Sequence, residues 1–330
     1  MSLVPTVYKS TDPGAPLLSG QPGALAMLLD ALLVDGYGSG ANRKPGMGWT
    51  RAFSGSNVRV FRNASITGTG FYLRVDDTAQ RSALMRGFAT MSDIDNGTDP
   101  TPTIALKPSG SRWDKSSVAS AEGRAWVAVG NERFFYLFID TSGQFQQYGS
   151  SVMHPHYAGD IVSLKAGDMH NFVVSYKGSD AEMSSTMGYA LRGQSGWGVS
   201  STTDSTTACF IGRNATANPG ALRCGVSADG HYSNGSFGSS NQYPPYPYPL
   251  NNGLLYSPVV VFENSYVPRG YLPGLYAPIH RRPFPELTVV SDIGGLPAGT
   301  QLLAKGYIVE TTNYVDTYLG QVLIDIANEW

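Results

Sequence analysis

The chain has 330 residues and a formal net charge of -2, and only 15% of its residues are charged. Its 42% of hydrophobic residues excludes an intrinsically disordered chain, because disorder requires few apolar residues and a large net charge. The balance of charge argues against nucleic-acid binding, since phosphate neutralisation requires an excess of Lys and Arg. A freely solvated monomer usually carries more charge, and 39 Gly and 21 Pro favour a loop-rich, mainly β protein.

The sequence shows the pattern of neither a membrane-spanning helix nor an export signal. No segment approaches the roughly 18 uninterrupted apolar residues of a membrane-spanning helix. Residues 1–8 lack a basic region followed by an apolar one, so we expect no signal peptide. We therefore expect Cys209 and Cys224 to be reduced, packed thiols in the cytoplasm of the cell that makes the protein. A disulfide between them stays open as the alternative, whereas their spacing fits no metal-binding pattern.

One helix is predicted near the N-terminus. Ser19 is its expected N-cap, Pro22 suits the first turn, and Gly36 can end it in a left-handed conformation. The pattern predicts about four turns that pack on a sheet. The leucines that recur at the spacing of one helical face are Leu25, Leu28, Leu29, Leu32 and Leu33.

After the helix the apolar spacing falls to two residues, which indicates β-strands. The clearest hairpin joins residues 126–129 to 134–139 through a Gly-Asn turn. Its second arm is apolar at six consecutive positions, so we expect another layer of this chain, or another subunit, on both faces. The other predicted strands are residues 58–62, 71–75, 160–163, 172–176, 209–212, 258–262, 287–290, 301–304 and 321–326.

These elements predict a mainly β fold, with a β-sandwich or barrel-like body, one N-terminal helix and long Gly/Ser/Pro-rich loops. We place the N-terminal arm, helix and main β domain in residues 1–254 and a smaller β unit in residues 255–330. Residues 178–207 and 229–253 are predicted loops, and the second contains a Tyr/Pro run that favours an extended path. Loops this long usually serve binding or assembly.

Candidate catalytic and metal sites are weak. His154 and His156 would project to one side of a strand, but two imidazoles do not make a zinc site, so we expect a loop-surface role. The run Gly-Gln-Ser-Gly at 193–196 lacks the following helix of a nucleophile elbow. For the available carboxylate pairs we expect turn and other structural roles, and we predict no catalytic residue, cofactor or metal. These pairs are Asp76 with Asp77, Asp93 with Asp95, and Asp160 with Asp168.

Aromatic residues are the remaining signal, with 19 Tyr, 13 Phe and 5 Trp. We predict that Tyr243, Tyr246, Tyr248 and Trp330 are interface anchors, because exposed Tyr and Trp commonly anchor protein interfaces. Sugars stack on the same residue types. The Tyr/Pro run has few carboxylates and amides, which favours a protein partner.

Several stretches of the sequence share one resemblance. The opening at 6–20, the Leu-rich helix and Gly-Met-Gly-Trp at 46–49 resemble virion structural proteins of tailed bacteriophages. Residues 124–136, 158–163 and 270–278 fit the same resemblance in order. The resemblance implies a component of the phage tail, baseplate or collar, made in the bacterial host cytoplasm, with no catalytic residues to carry over.

We therefore expect a non-enzymatic protein that forms a homo-oligomeric ring or sleeve and contacts other virion proteins. Residues 4–18 are either an arm that reaches a neighbour or an edge strand on their own domain. The first alternative function is a receptor- or carbohydrate-binding virion module, a fibre or head decoration, that binds host-surface glycan through the loop tyrosines. The second is a cell-wall or capsule hydrolase that uses Asp160 and Asp168.

Overall fold

The computed structural model is mainly β, with 44% of residues in strands and 6% in helices. The predicted fold class is confirmed: antiparallel sheets form a sandwich-like body, and a short helix lies near the N-terminus. Most of the predicted loops 178–207 and 229–253, together with residues 193–196 and Tyr243, lies outside the described residues. The residues described are 3–142, 153–176, 180, 207–227, 245–250, 252–263, 267–280, 283–309 and 318–330.

The helix α1 (Ala24–Leu29) continues into a π-helical segment, Asp30–Asp35, and a 3-10 turn covers Gly40–Asn42. The strands in the described part of the chain are β1 (Thr6–Lys9), β2 (Thr50–Gly55), β3 (Val58–Arg62), β4 (Tyr72–Asp76), β5 (Ser82–Phe88), β6 (Thr90–Met91), β7 (Gly97–Thr98), β8 (Ser111–Asp114), β9 (Trp126–Gly130), β10 (Phe134–Asp140), β11 (Met153–Asp160), β12 (Val162–Ser163), β13 (Phe172–Ser175), β14 (Cys209–Arg213), β15 (Pro219–Ser227), β16 (Tyr256–Glu263), β17 (Val267–Pro278), β18 (Val289–Ser291), β19 (Gln301–Val309) and β20 (Tyr318–Asp325).

One large antiparallel sheet contains thirteen of these described strands, in the order β1-β9-β10-β11-β13-β14-β15-β16-β17-β20-β19-β18, with β12 paired to β17. A five-stranded sheet has the order β2-β3-β4-β5-β8, and β6 pairs with β7. The pairing of β15 with β16 carries the large sheet across residue 255. The domain boundary proposed there therefore stays a prediction, and the sheet itself is continuous.

Strand β10 lies between two hydrophobic cores, because its alternate side chains belong to different clusters. Phe135, Leu137 and Ile139 pack with α1 and the inner face of the five-stranded sheet. Phe134, Tyr136 and Phe138 pack with residues of β16, β17, β19 and β20. Of the two expected coverings, the first is therefore correct, since layers of this chain bury both faces of the strand.

The leucine stripe of the helix is confirmed, since all five leucines are fully buried. The expected N-cap is wrong: the cap position is Gly23, and no side chain of the cap residue bonds to the helix. Asp77, which follows β4, caps the helix instead. Its carboxylate accepts hydrogen bonds from the backbone N–H groups of Leu25 (2.7 Å) and Ala26 (3.0 Å). These N–H groups have no partner within a helix, so a carboxylate there stabilises the helix start.

Asp77 also pairs with Lys115, and both side chains are fully buried. The Lys115 ammonium donates further hydrogen bonds to the backbone carbonyls of Gln21 (2.7 Å) and Ala79 (3.1 Å). Burial raises the pKa of Asp77 and lowers the pKa of Lys115, and their mutual attraction offsets part of each shift. This ion pair joins the helix start to β4 and the end of β8.

The N-terminal segment is an edge strand and not a reaching arm, because β1 pairs with β9 along its length. Its outer side is occupied by polar groups of the same chain. Lys44 Nζ donates to the carbonyl of Val7 (2.8 Å), and Asp12 accepts the backbone N–H of Lys9 (2.7 Å). Charged groups on an edge oppose strand addition by another molecule.

The Asp77–Lys115 pair allows a direct test of burial. We expect Asp77→Asn to lower the free energy of unfolding by about 3–5 kcal/mol, because it leaves the Lys115 charge buried without its partner. The matched control is Asp95→Asn, whose side chain is 68% exposed and pairs with Arg74. Urea unfolding should give a loss below about 1 kcal/mol for this exposed pair. Equal losses in the two variants would contradict the role of Asp77.

Candidate functional site

The prediction that His154 and His156 lie in an exposed loop is wrong, since both lie in β11 and are buried. They do project to one side, as expected, and pair in register with Ile139 and Leu137. His154 Nδ1 lies 3.6 Å from an Asp114 carboxylate oxygen. Two imidazoles and a carboxylate are thus buried on the face of the large sheet that packs against α1 and the five-stranded sheet.

His156 packs face to face with Trp113, with ring centroids 4.5 Å apart and an interplanar angle of 10°. Its Nε2 lies 3.3 Å from the backbone oxygen of Asp114. Among the described residues, no group of three or more His, Cys, Asp and Glu side chains is arranged to hold a metal ion.

The carboxylates of the predicted pairs bond to different partners in the structure. Asp93 forms a turn, since its carboxylate accepts the backbone N–H groups of Asp95 and Asn96, both at 2.9 Å. Asp76 bonds to Thr78 at the end of β4, whereas the adjacent Asp77 is buried beneath the helix. The structural roles expected for these residues agree with this geometry.

Asp160 holds the loop formed by residues 64–70 against the large sheet. One carboxylate oxygen accepts the Thr69 hydroxyl (2.5 Å) and the other accepts the Thr69 backbone N–H (2.8 Å). The loop is also bonded to the β9–β10 turn, where Thr67 donates to Glu132 (2.5 Å). Burial raises the pKa of Asp160 to about 6, and the hydrogen bonds from Thr69 oppose this shift.

Asp168 belongs to a different buried cluster, which is centred on Arg269. The guanidinium lies between two carboxylates, 2.6 Å from Asp168 and 2.7 Å from Glu263. Ser163 donates its hydroxyl to Asp168 (2.7 Å), and the backbone N–H of Leu164 donates to the carbonyl of Arg269 (3.0 Å). These contacts fix the 162–170 segment on the start of β17.

Aromatic side chains connect the 64–70 loop with the 162–170 segment. Phe71, which follows the 64–70 loop, stacks on Phe172 with ring centroids 5.3 Å apart. The His170 ring contacts the same Phe71 edge-on at 6.3 Å. Burial and the nearby Arg213 lower the pKa of His170, and Asp168 and Asp99 offset part of this effect.

These segments present large apolar side chains to solvent. Ile66 at the tip of the 64–70 loop is 97% exposed, Met169 is 61% exposed, and Leu164 is 53% exposed. Val267, at the start of β17, is also exposed. We call these four residues the loop surface. Their segments are joined by buried polar contacts, so the apolar side chains are held in place and not left on freely moving chain.

Neither the loop surface nor the ion cluster of Arg269 was predicted from the amino-acid sequence. One signal was available: Ile66 is an isolated apolar residue in a run of Ser, Thr and Gly. A second was Arg269, a charged residue in an otherwise apolar strand. Both signals are common in β proteins, and only the packing shows that these two residues differ from others of their kind.

The predicted aromatic anchors lie in two places. Tyr246 is 42% exposed, and its ring packs edge-on against His280 and Phe284 at 5.4 and 4.9 Å. Tyr248 is half-buried and its backbone pairs with Gly253. Trp330 is half-buried against its own chain, with its ring 6.5 Å from Tyr276. An interface role for these residues stays a prediction.

Comparison with known proteins adds no relative, since no protein-family model matches the chain and no curated protein matches its sequence. Within the described residues, no helix is long and apolar enough to cross a membrane.

The environment of Asp160 predicts a specific pH dependence. Its pKa of about 6 in the folded chain lies above the ordinary value of 3.8, so the folded state holds a proton that the unfolded state releases. Its contribution to stability is present below pH 3.8 and is lost as the pH rises through about 6. We expect Asp160→Asn, which does not titrate, to gain on the order of 3 kcal/mol relative to the wild type between pH 4 and 7.

Urea unfolding at several pH values measures this difference. Thr69→Val is the companion variant, because loss of its hydroxyl donor should move the transition of Asp160 to higher pH. A difference between Asp160→Asn and the wild type that stays constant with pH would show that Asp160 is not a titrating group in this range.

Proposed function

We propose that this protein is a non-enzymatic structural component of a tailed-phage virion and that it assembles as a homo-oligomeric ring or sleeve. The observation that carries the assembly proposal is the loop surface, whose exposed apolar side chains lie on segments held by buried hydrogen bonds and ion pairs. The resemblance of residues 6–20 and the later stretches to virion structural proteins supports its assignment to a phage particle.

The energetic argument starts from solvent exposure. A large apolar side chain contributes about 1.5–3 kcal/mol when it moves from water into a packed environment. Exposed apolar side chains that gather in one patch usually mark an interaction site, and these four residues are proposed to form such a patch. Fixing such residues in place also lowers the entropy that is lost on association.

The sheet edges favour association through this surface and not through strand pairing. The outer side of β1 is occupied by Lys44 and Asp12, and the other edge strand, β18, has only three residues. A ring in which subunits pack laterally through loops agrees with this arrangement, and the remaining loops and Tyr246 then contact other virion proteins.

Association of the purified chain tests the loop surface. We expect the wild type to sediment as an oligomer, and Ile66→Glu and Met169→Glu each to weaken association by at least about tenfold, since each places a charge in the contact. The control is Met27→Glu, which changes an apolar side chain that is 57% exposed on α1. A monomeric wild type, or equal weakening by the control, would contradict the proposed surface.

The Tyr/Pro segment is tested separately in particles. We expect replacement of Tyr246 and Tyr248 by Ser to reduce the content of this subunit in purified virions or the thermal stability of the virions, because the contacts of the aromatic side chains are lost. Tyr246→Phe keeps the aromatic side chain and should behave as the wild type. Unchanged particles would argue against anchoring, and glycan binding that the Ser variants lose would support a receptor-binding module instead.

A further inference from the structure

Two cysteines on consecutive strands of the large sheet face each other. Cys209 in β14 and Cys224 in β15 are direct partners in the antiparallel register. Such partners project to the same face of a sheet, and both thiols belong to the second core cluster. Neither cysteine is in a disulfide, and both are buried, with exposed fractions of 2% and 0%.

The geometry of this pair suits a covalent bond. Cα atoms of directly opposed residues in antiparallel strands lie about 4.5 or 5.5 Å apart. Disulfides span Cα separations of about 4.4–6.8 Å, so the two strands can be bridged with little movement of the backbone. The Cys209 side chain is also the first cause of the raised pKa of the Cys224 thiol, in keeping with two sulfur atoms that lie close together.

We propose that Cys209 and Cys224 are a site of oxidative modification and form a disulfide across β14 and β15 after the particle leaves the reducing cytoplasm. The second half of this statement rests on the proposed virion function. Cytoplasmic thiols are kept reduced, whereas disulfides persist on released particles and in other oxidising surroundings. The chain thus folds and assembles with two thiols and is cross-linked afterwards.

The reaction is a thiol–disulfide exchange with a small disulfide such as oxidised glutathione. One cysteine thiolate attacks the glutathione disulfide, which forms a mixed disulfide and releases one reduced glutathione. The second cysteine then displaces the other glutathione and closes the Cys209–Cys224 bond. The protein loses two electrons and two protons, and the glutathione disulfide becomes two thiols.

The surroundings make this reaction slow. The hydrogen bond with Cys209 and burial both raise the pKa of the Cys224 thiol, and the nearby Glu263 adds to the effect. Since the thiolate is the reacting form, attack requires local opening of β14 and β15. Once closed, a loop of this length should raise the equilibrium constant for folding roughly a hundredfold.

The experiment uses the full-length wild-type chain, purified in reduced form and incubated in native buffer with oxidised glutathione. After denaturation and N-ethylmaleimide treatment, intact mass should show a loss of about 2 Da and no maleimide adduct, where the reduced chain carries two. Cys209→Ser and Cys224→Ser are the controls and should each retain one reactive or glutathione-bound sulfur. The same incubation is repeated in urea, where the unfolded chain should be oxidised. Two maleimide adducts on the native chain, under conditions that oxidise the chain in urea, would overturn the proposed geometry.

A second measurement separates this site from the proposed function. Virions and host lysate are quenched with N-ethylmaleimide, and the peptides that contain the two cysteines are compared. We expect the disulfide in released particles and free thiols in the lysate. Free thiols in particles would overturn oxidation after release. Absence of the chain from particles would instead contradict the virion function, while the mass measurement on the purified chain still decides the disulfide.

Discussion

A strand with no polar face sets the architecture of this protein. Six consecutive apolar residues in β10 must all leave water, and a single sheet with one covered face would expose three of them. The helix and five-stranded sheet cover one side, and the C-terminal strands of the large sheet return to cover the other. The sandwich-like body follows from this requirement, because both cores contain alternate residues of the same strand.

Part of the low charge content of this chain is buried in the folded protein. Several of the few ions lie inside, including the pair Asp77–Lys115 and the cluster of Arg269 with Asp168 and Glu263. A buried ion pair adds little net stability, but removing one partner is costly. These contacts therefore act mainly to specify which segments meet: the helix start with β4, and the 162–170 segment with β17.

Positioning of loops by buried polar groups links the fold to its proposed role. Asp160 and Arg269 hold two segments whose outward residues include Ile66 and Met169. An apolar side chain on a well-fixed loop is a better contact than the same side chain on a mobile one, because less entropy is lost on binding. An assembly built on such loops leaves the sheet edges uninvolved and limits uncontrolled strand addition.

Local spacing of apolar residues in the sequence predicted the mainly β class, the leucine face of the helix, the 126–139 hairpin and about half of the described strands. It did not determine that Asp77 caps the helix, that His154 is buried, or that Cys209 faces Cys224. The roles of Asp77 and His154 depend on contacts between distant parts of the chain, whereas the pairing of the two cysteines depends on the register of β14 and β15. Local spacing cannot specify them, since a polar or sulfur-containing side chain takes its role from the partner that packing brings to it.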